Sequence, residues 1–300
     1  MLKPQFVKDN LRTLKEITKA TRGITAIVGF VDNNKHIYYG AAIINNGKLV
    51  HVYHKMLLPN YGVFDEYRYF KPGKRFPIIT IKGVNIGVNI CEDIWYADGP
   101  ARTQALAGAE VIITINASPY HKGKGRERQQ MLSARAKENN VYVVYTNTVG
   151  GQDELVFDGH SMVLNPKGKL IASGRQFEED LVTHDIKLPG PARRGADTMS
   201  ELILDEHRDF IDSVVLSDRP AAKKKSPVPA RVVKPYPLSE EVYRALVLGT
   251  RDYVKKTGFK SVVIGLSGGI DSSLVAAVAV AAIGKENVHG VFMPSMYSSD

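Results

Sequence analysis

The chain has 300 residues, of which 44% are hydrophobic and 24% are charged, and this is the composition of an ordinary globular protein. Its length predicts one large domain or two smaller ones. The single cysteine excludes an internal disulfide and any metal site built from several cysteines. No apolar run reaches the roughly 18 residues that cross a bilayer, so we expect no membrane partner and a cytoplasmic protein.

The formal charge of +9 raises the question of a nucleic-acid partner. The basic residues are spread along the chain, however, and only Lys223, Lys224 and Lys225 form a compact run. Dispersed charge of this kind favours solvated lysines and small anionic substrates. We therefore predict no nucleic-acid binding.

Strand and helix patterns alternate along residues 1–188. Apolar residues from Phe6 to Ile17 recur near helical spacing, and Gly23 is expected to end that helix. The pattern as a whole predicts an α/β or mixed layered fold, with hairpin turns at residues 45–48 and 165–168. Strands are predicted over residues 24–31, 37–44, 49–54, 78–81, 84–90, 111–115, 141–146, 161–164 and 170–172, and further helices over 101–109 and 125–139.

Residues 189–236 differ in composition from the residues on either side. Prolines recur there beside the lysine run, which is typical of a connecting segment, and one helix is predicted over residues 201–214. Ser239 is then expected to cap a helix that ends near Lys256. A second unit is predicted over residues 237–300.

The second unit contains a glycine- and serine-rich turn between an apolar β-branched run and an apolar helix. This order directs backbone N–H groups and a helix N-terminus at a phosphate, although the Walker A pattern and its lysine are absent. Asp271 could help to hold a metal ion, and an ordinary turn with a serine cap is the alternative. The residues of this turn are Leu266, Ser267, Gly268, Gly269, Ile270, Asp271, Ser272 and Ser273.

Cys91 lies at the predicted end of an apolar strand, where α/β folds expose catalytic groups. A nucleophilic thiolate needs a nearby cation or N–H donors, and a base that takes its proton. Lys55, at the end of another predicted strand, offers such a cation. The alternatives are a buried, inert cysteine and a surface lysine.

Three stretches of the sequence together resemble the nitrilase-like amidases: Lys55 with the segment from Leu58 to Phe70, the segment around Cys91 from Asn89 to Trp95, and Asn116 to Tyr120. That superfamily places a Glu-Lys-Cys triad on an αββα sandwich. The cysteine attacks the amide carbon, the lysine stabilises the oxyanion and the glutamate shuttles protons. The resemblance implies that Cys91 is the nucleophile, that Lys55 stabilises the oxyanion and that Glu66 is a supporting glutamate, with no metal ion at this site.

Together with residues 266–273, these stretches are similar to the glutamine-dependent NAD synthetases. In that family one domain hydrolyses glutamine, and a Rossmann-like ATP pyrophosphatase domain uses the ammonia to amidate deamido-NAD. ATP, as its magnesium complex, adenylates deamido-NAD, and AMP and pyrophosphate leave. The resemblance implies that Tyr61, Ser118 and Lys124 contact glutamine, that residues 266–273 bind ATP, and that the full-length enzyme is a homo-oligomer.

We therefore expect a glutamine amidohydrolase domain over residues 1–188, a connecting segment over 189–236 and the start of a synthetase domain over 237–300. No residue matches the family's catalytic glutamate, since Glu16 lies in mid-helix and is expected to be solvated. The first strand–helix–strand unit of the sandwich also has no counterpart. We expect a chain truncated at both ends, with little of either activity.

Three other functions remain open. A stand-alone nitrilase-type amidase would leave residues 266–273 unexplained. Asparagine, GMP or tRNA-modifying synthetases share this kind of turn, but those that use glutamine pair it with glutaminases of different architecture. A pseudoenzyme that binds nucleotide or assists assembly would bind ATP without forming a product.

Overall fold

The computed structural model describes residues 3–186, 188, 198–217 and 226–294. Helix α1 (Pro4–Ala20) precedes an antiparallel sheet of three strands, β1 (Thr25–Asn34), β2 (His36–Asn45) and β3 (Lys48–His54). Asn46 and Gly47 have left-handed φ angles of 47° and 79°, which a tight two-residue hairpin requires. This confirms the turn predicted at residues 45–48.

A second sheet has seven strands among the described residues, in the order β11-β10-β7-β6-β5-β4-β12. Its centre, from β5 to β7, is parallel, and the helices α2 (Pro100–Leu106) and α3 (Lys124–Glu138) make the crossovers. The strands are β4 (Phe76–Ile81), β5 (Val84–Ile90), β6 (Val111–Asn116), β7 (Tyr142–Asn147), β10 (Met162–Leu164), β11 (Leu170–Ser173) and β12 (Ile211–Val215), while β8 (Val149–Gln152) and β9 (Leu155–Asp158) form a separate hairpin.

The two sheets pack face to face between outer layers of helix. Helix α1 covers the first sheet through Val7 and Leu14, and α2 and α3 cover the second sheet through Ala105 and Leu132. The layers therefore follow the αββα order that the resemblance implies. The buried residues between the sheets include Ala41, Ile43, Tyr53, Ile79 and Val88.

Part of the predicted connecting segment belongs to the second sheet. Helix α4 (Thr198–His207) is followed by a short 3₁₀ helix (Arg208–Phe210) and then by β12, which pairs in parallel with β4. The helix predicted over residues 201–214 is thus wrong in its second half. Residues 211–215, which are rich in β-branched side chains, pair instead with β4 at the edge of the sheet. The lysine run at residues 223–225 lies outside the described residues.

Helix α5 (Leu238–Lys256) packs on the β8–β9 hairpin of the first unit. The backbone N–H of Gly151 donates to Asp252 Oδ2 over 2.8 Å. The predicted end of this helix is confirmed, but the predicted cap is wrong. The helix begins one residue before Ser239, and Pro237 precedes it without a side-chain capping bond.

The strand–turn–helix unit predicted in the second unit is confirmed. Strand β13 (Val262–Leu266) leads through the turn into helix α6 (Ile270–Ile283), and β14 (Val288–Phe292) returns parallel to β13. Two apolar residues of this unit are largely exposed: Ile270 on α6 by 84% and Val263 on β13 by 71%.

Within the described ranges, no helix combines the length and apolar character that crossing a bilayer requires.

Candidate active site

Cys91 stands at the sharp turn between β5 and a short 3₁₀ helix (Cys91–Ile94). Its φ is +48°, a left-handed backbone conformation that a residue with a side chain adopts at a cost. The apolar strand ends here as predicted, and the thiol is buried at 8% exposure. Strained turns of this kind at the end of a strand are a common way to present a nucleophile to a cavity.

Lys55 follows β3 directly, and its ammonium group is buried. Its Nζ donates to Glu66 Oε1 at 2.8 Å and Oε2 at 2.6 Å, and it lies 5.1 Å from the centre of the Tyr39 ring. Only 3% of Lys55 is exposed, so the interpretation as a surface lysine is wrong. A buried ammonium persists because Glu66 balances its charge.

A cavity of about 440 Å³ brings Cys91, Lys55 and Glu66 together. Its walls also include the aromatic rings of Tyr39, Phe64, Tyr69 and Phe70, and Val63, Asp65, Ile90 and Ala117 complete them. The structure therefore places all three residues that were expected to be catalytic at one site. Glu16, by contrast, is exposed on α1 as predicted.

The environment keeps the thiol of Cys91 protonated at neutral pH. Burial raises its pKa to about 11, Lys55 acts to lower it, and the carboxylates of Glu66, Glu92 and Asp93 raise it. Burial also raises the pKa of Glu66, although Lys55 opposes that shift. Attack by sulfur therefore requires a base that removes the thiol proton.

Of the three residues expected to bind glutamine, Tyr61 and Lys124 contact residues of the turn after Cys91, and none of the three is part of the cavity walls. Tyr61 is 56% exposed and donates its hydroxyl to Glu92 Oε1 over 2.8 Å. Lys124 begins α3, where its Nζ lies 4.1 Å from the centre of the Trp95 ring. Ser118 is buried.

Ser118 adjoins an ion pair that the sequence did not predict. Arg128 and Asp158 are both fully buried, and two N–H···O bonds of 3.1 Å join them. Arg128 also reaches Ser118 Oγ at 3.4 Å, and Asn147 Oδ1 accepts the Ser118 N–H. No local signal marks this pair, since its members are 30 residues apart on different elements.

The glycine-rich turn is open to solvent. Gly268 has a φ of +80°, and nothing lies within 4 Å of where its Cβ would stand. Ser272 Oγ donates to the carbonyl of Gly269 and accepts the N–H of Ser267. Ser267, Gly268, Gly269, Ile270, Asp271 and Ser273 are exposed, while Leu266 and Ser272 are half-buried.

Two parts of the chain match different family models. Residues 9–192 match the family model described as carbon-nitrogen hydrolase, and residues 242–300 match the model described as NAD synthase. A glutamine-dependent NAD(+) synthetase of Thermotoga maritima is 44% identical over 307 residues, with 100% of this chain and 52% of that protein covered.

Two solved structures resemble the fold. A glutamine-dependent NAD+ synthetase from Acinetobacter baumannii, in complex with adenosine diphosphate, is 34% identical with a TM-score of 0.79, and the match covers 99% of this chain and 50% of that one. A carbon-nitrogen hydrolase from Helicobacter pylori G27, 24% identical, has a TM-score of 0.53 over 59% of this chain and 67% of its own. The chain spans about half the length of the curated relatives it matches.

Proposed function

The chain belongs to the carbon-nitrogen hydrolase family, and from that premise we propose that it forms part of an enzyme that hydrolyses the side-chain amide of glutamine at Cys91. The ammonia would serve an ATP-dependent amidation of deamido-NAD to NAD, with AMP and pyrophosphate as the other products. In this proposal residues 1–188 form the glutaminase unit and residues 237–300 belong to the synthetase unit. The match of residues 242–300 to the NAD synthase model supports the second part.

One observation carries the glutaminase proposal: a buried lysine–glutamate pair shares a cavity with the thiol at a strained strand end. Buried charges are costly unless they are paired, and a cation beside a nucleophile is the arrangement that acyl transfer uses. Tyr61 and Lys124 flank the same turn and are candidates for contacts with the charged end of glutamine. The buried Ser118 offers a hydroxyl nearby.

The chemistry balances as an acyl transfer through sulfur. Sγ of Cys91 forms a bond with the amide carbon while the thiol proton passes through water to the amide nitrogen, and Lys55 Nζ donates to the amide oxygen as it gains negative charge. The C–N bond then breaks, and the nitrogen departs as ammonia with the proton it gains. Water hydrolyses the thioester to glutamate and restores the thiol. Glu66 keeps Lys55 charged and in place throughout.

Cys91 is expected to be the single point of covalent labelling by a glutamine analogue that carries a diazoketone in place of the amide. The chain has one cysteine, so intact mass spectrometry should find one analogue per chain, and free glutamine should slow its attachment. Because the thiol pKa is about 11, alkylation by iodoacetamide should become faster by about tenfold per pH unit from about pH 7 to about pH 10.

The control for this labelling is Cys91→Ala, which should acquire no mass and release no glutamate from glutamine. Asparagine, which is one methylene shorter, is the matched competitor and should protect less than glutamine. Labelling that neither amino acid slows would contradict a glutamine site. Release of ammonia from other primary amides at a higher rate would favour the stand-alone amidase.

The glycine-rich turn supports the use of ATP. Exposed N–H and hydroxyl donors at the N-terminus of a 14-residue helix suit a polyphosphate. Asp271, in the first turn of α6, is the carboxylate that would help to hold the magnesium of the ATP complex. The similar Acinetobacter baumannii enzyme was solved with adenosine diphosphate.

Gly268→Ala is expected to weaken the binding of MgATP by about 5–10-fold, because alanine disfavours the left-handed backbone that this turn needs. Equilibrium dialysis of the chain against MgATP gives the dissociation constants. Gly258→Ala is the matched control, since Gly258 has a φ of +86° and equally open space but lies at the end of α5. Equal effects of the two substitutions would argue against a phosphate site at the turn.

The proposal extends to the setting of the reaction. We place the protein in the cytoplasm, where glutamine, ATP and deamido-NAD are available, and we propose a homo-oligomer for the full-length enzyme. The pseudoenzyme would be favoured by two results together: the chain binds MgATP, and a longer protein that contains this sequence forms no product from deamido-NAD and glutamine.

A further inference from the structure

Asp93 is a fully buried carboxylate two residues after Cys91, and 0% of it is exposed. It lies in the 3₁₀ helix that begins with Cys91. An ionised carboxylate in such a place must have its lone pairs satisfied by hydrogen bonds. The positions of its hydrogen-bond donors indicate its role at the site.

Four hydrogen bonds join Asp93 to the chain on both sides of the site. Its Oδ1 accepts the N–H groups of Met56 at 3.1 Å and Leu57 at 2.8 Å, the two residues that follow Lys55. Its Oδ2 accepts the N–H of Ile90, the residue before Cys91, at 3.1 Å and the hydroxyl of Tyr53 at 2.8 Å. One carboxylate thus contacts both the segment that carries the cation and the segment that carries the thiol.

These bonds matter because the two segments come from different sheets. Strand β3, which ends before Lys55, belongs to the three-stranded sheet, and β5, which ends before Cys91, belongs to the seven-stranded sheet. Within the described parts of the chain, no ladder of backbone bonds runs from β3 to β5. The relative position of the two strand ends must therefore be set by side chains.

We propose that Asp93 is a positioning residue that fixes Lys55 against Cys91 by bridging the ends of β3 and β5. The inference rests on the proposed function, in which Lys55 stabilises the oxyanion formed by attack of Cys91. Asp93 itself touches neither the thiol proton nor the amide in this scheme. It acts through the place it gives to Lys55.

Electrostatics supports the same role. Burial raises the pKa of Asp93 to about 6, while the bonds from Leu57, Tyr53 and Ile90 and the charge of Lys55 act to lower it. The carboxylate is therefore ionised at neutral pH, when it accepts all four bonds. Hydrogen bonds to a charged acceptor are among the stronger ones in proteins.

If Asp93 acted only through its charge, its substitution would change the alkylation rate of Cys91 in the direction opposite to the one expected from a positioning role. The charge of Asp93 raises the pKa of Cys91, and Lys55 lowers that pKa by more than Asp93 raises it. If Asp93 were merely a neighbouring charge, Asp93→Asn would lower the thiol pKa and speed alkylation. If Asp93 holds Lys55 in place, the loss of the cation dominates and alkylation slows.

The test measures iodoacetamide alkylation of the full chain at pH 8 to 10 by intact mass, which reports only Cys91 because the chain has one cysteine. Asp93→Asn is expected to reduce the rate constant by roughly 3–10-fold, a shift of up to about one unit in the thiol pKa. Tyr53→Phe, which keeps the carboxylate and removes one donor, is expected to cause a smaller decrease. If Asp93→Asn does not fold, the result with Tyr53→Phe decides the proposal.

Glu92→Gln is the matched control for charge, because Glu92 also raises the thiol pKa but bonds Tyr61 instead of the segment after Lys55. It should speed alkylation. In a Lys55→Met background, Asp93→Asn should no longer slow alkylation, since no cation remains to be placed. Equal acceleration by Asp93→Asn and Glu92→Gln, or no change with Tyr53→Phe, would overturn the proposal.

Separate measurements test the positioning role of Asp93 and the proposed function. Labelling of the unchanged chain by the diazoketone analogue, with and without glutamine, tests whether the site recognises glutamine. Alkylation by iodoacetamide needs no glutamine recognition. A chain that ignores glutamine but shows slower alkylation in Asp93→Asn would refute the substrate and retain the positioning role.

Discussion

Lys55→Met is expected to slow labelling of Cys91 by the diazoketone analogue by about 10²–10³-fold, the usual effect of removing one oxyanion donor. The reacting carbonyl oxygen loses the ammonium that would stabilise its negative charge. The thiol also loses the ammonium whose charge acts to lower its pKa. Rates of labelling measured by intact mass give the factor, and Lys48→Met, at the exposed start of the same strand, should leave it unchanged.

The same substitution should reduce the free energy of unfolding by about 1–3 kcal/mol, because Glu66 loses its partner and must take up a proton. Urea unfolding followed by the fluorescence of Trp95, the single tryptophan, measures this change. Adding Glu66→Gln should restore part of the stability, since no unpaired charge remains, but none of the labelling rate. Recovery of labelling in the double variant would show that Lys55 serves stability alone.

Arg128→Met is expected to reduce the free energy of unfolding by about 3–5 kcal/mol, the usual cost of leaving a buried charge without its partner. Both members of the pair are fully buried, and two hydrogen bonds join them. The substitution leaves Asp158, the last residue of β9, unpaired in the interior. Urea unfolding monitored at Trp95 again provides the measurement.

A second substitution separates charge from packing at this site. Arg128→Met with Asp158→Leu replaces the pair by apolar side chains, which is often close to neutral for stability, and should recover most of the loss. Arg126→Met, on the exposed side of the same helix, should have almost no effect. A single variant as stable as the unchanged chain would show that water or another group solvates Asp158.

Much of the candidate site could be predicted because its signals are local. Cys91 ends an apolar strand, Lys55 ends another, and the carboxyl ends of strands are where a layered fold exposes reactive groups. The hairpin at Asn46 and the turn at Gly268 depend on the backbone preferences of a few adjacent residues. Similarity to a known family then assigned roles that composition and spacing alone could not assign.

What the sequence by itself determined is therefore the layered α/β class, the ends of strands that carry the thiol and the lysine, and the exposed glycine-rich turn. The tertiary structure decided that Lys55 is buried on Glu66, that Asp93 bridges two sheets and that β12 pairs with β4, a strand far away in the chain. The physical reason is the range of the interactions. Turn and strand preferences act between neighbours, whereas the pairing of buried charges and sheet edges depends on which distant segments folding brings together.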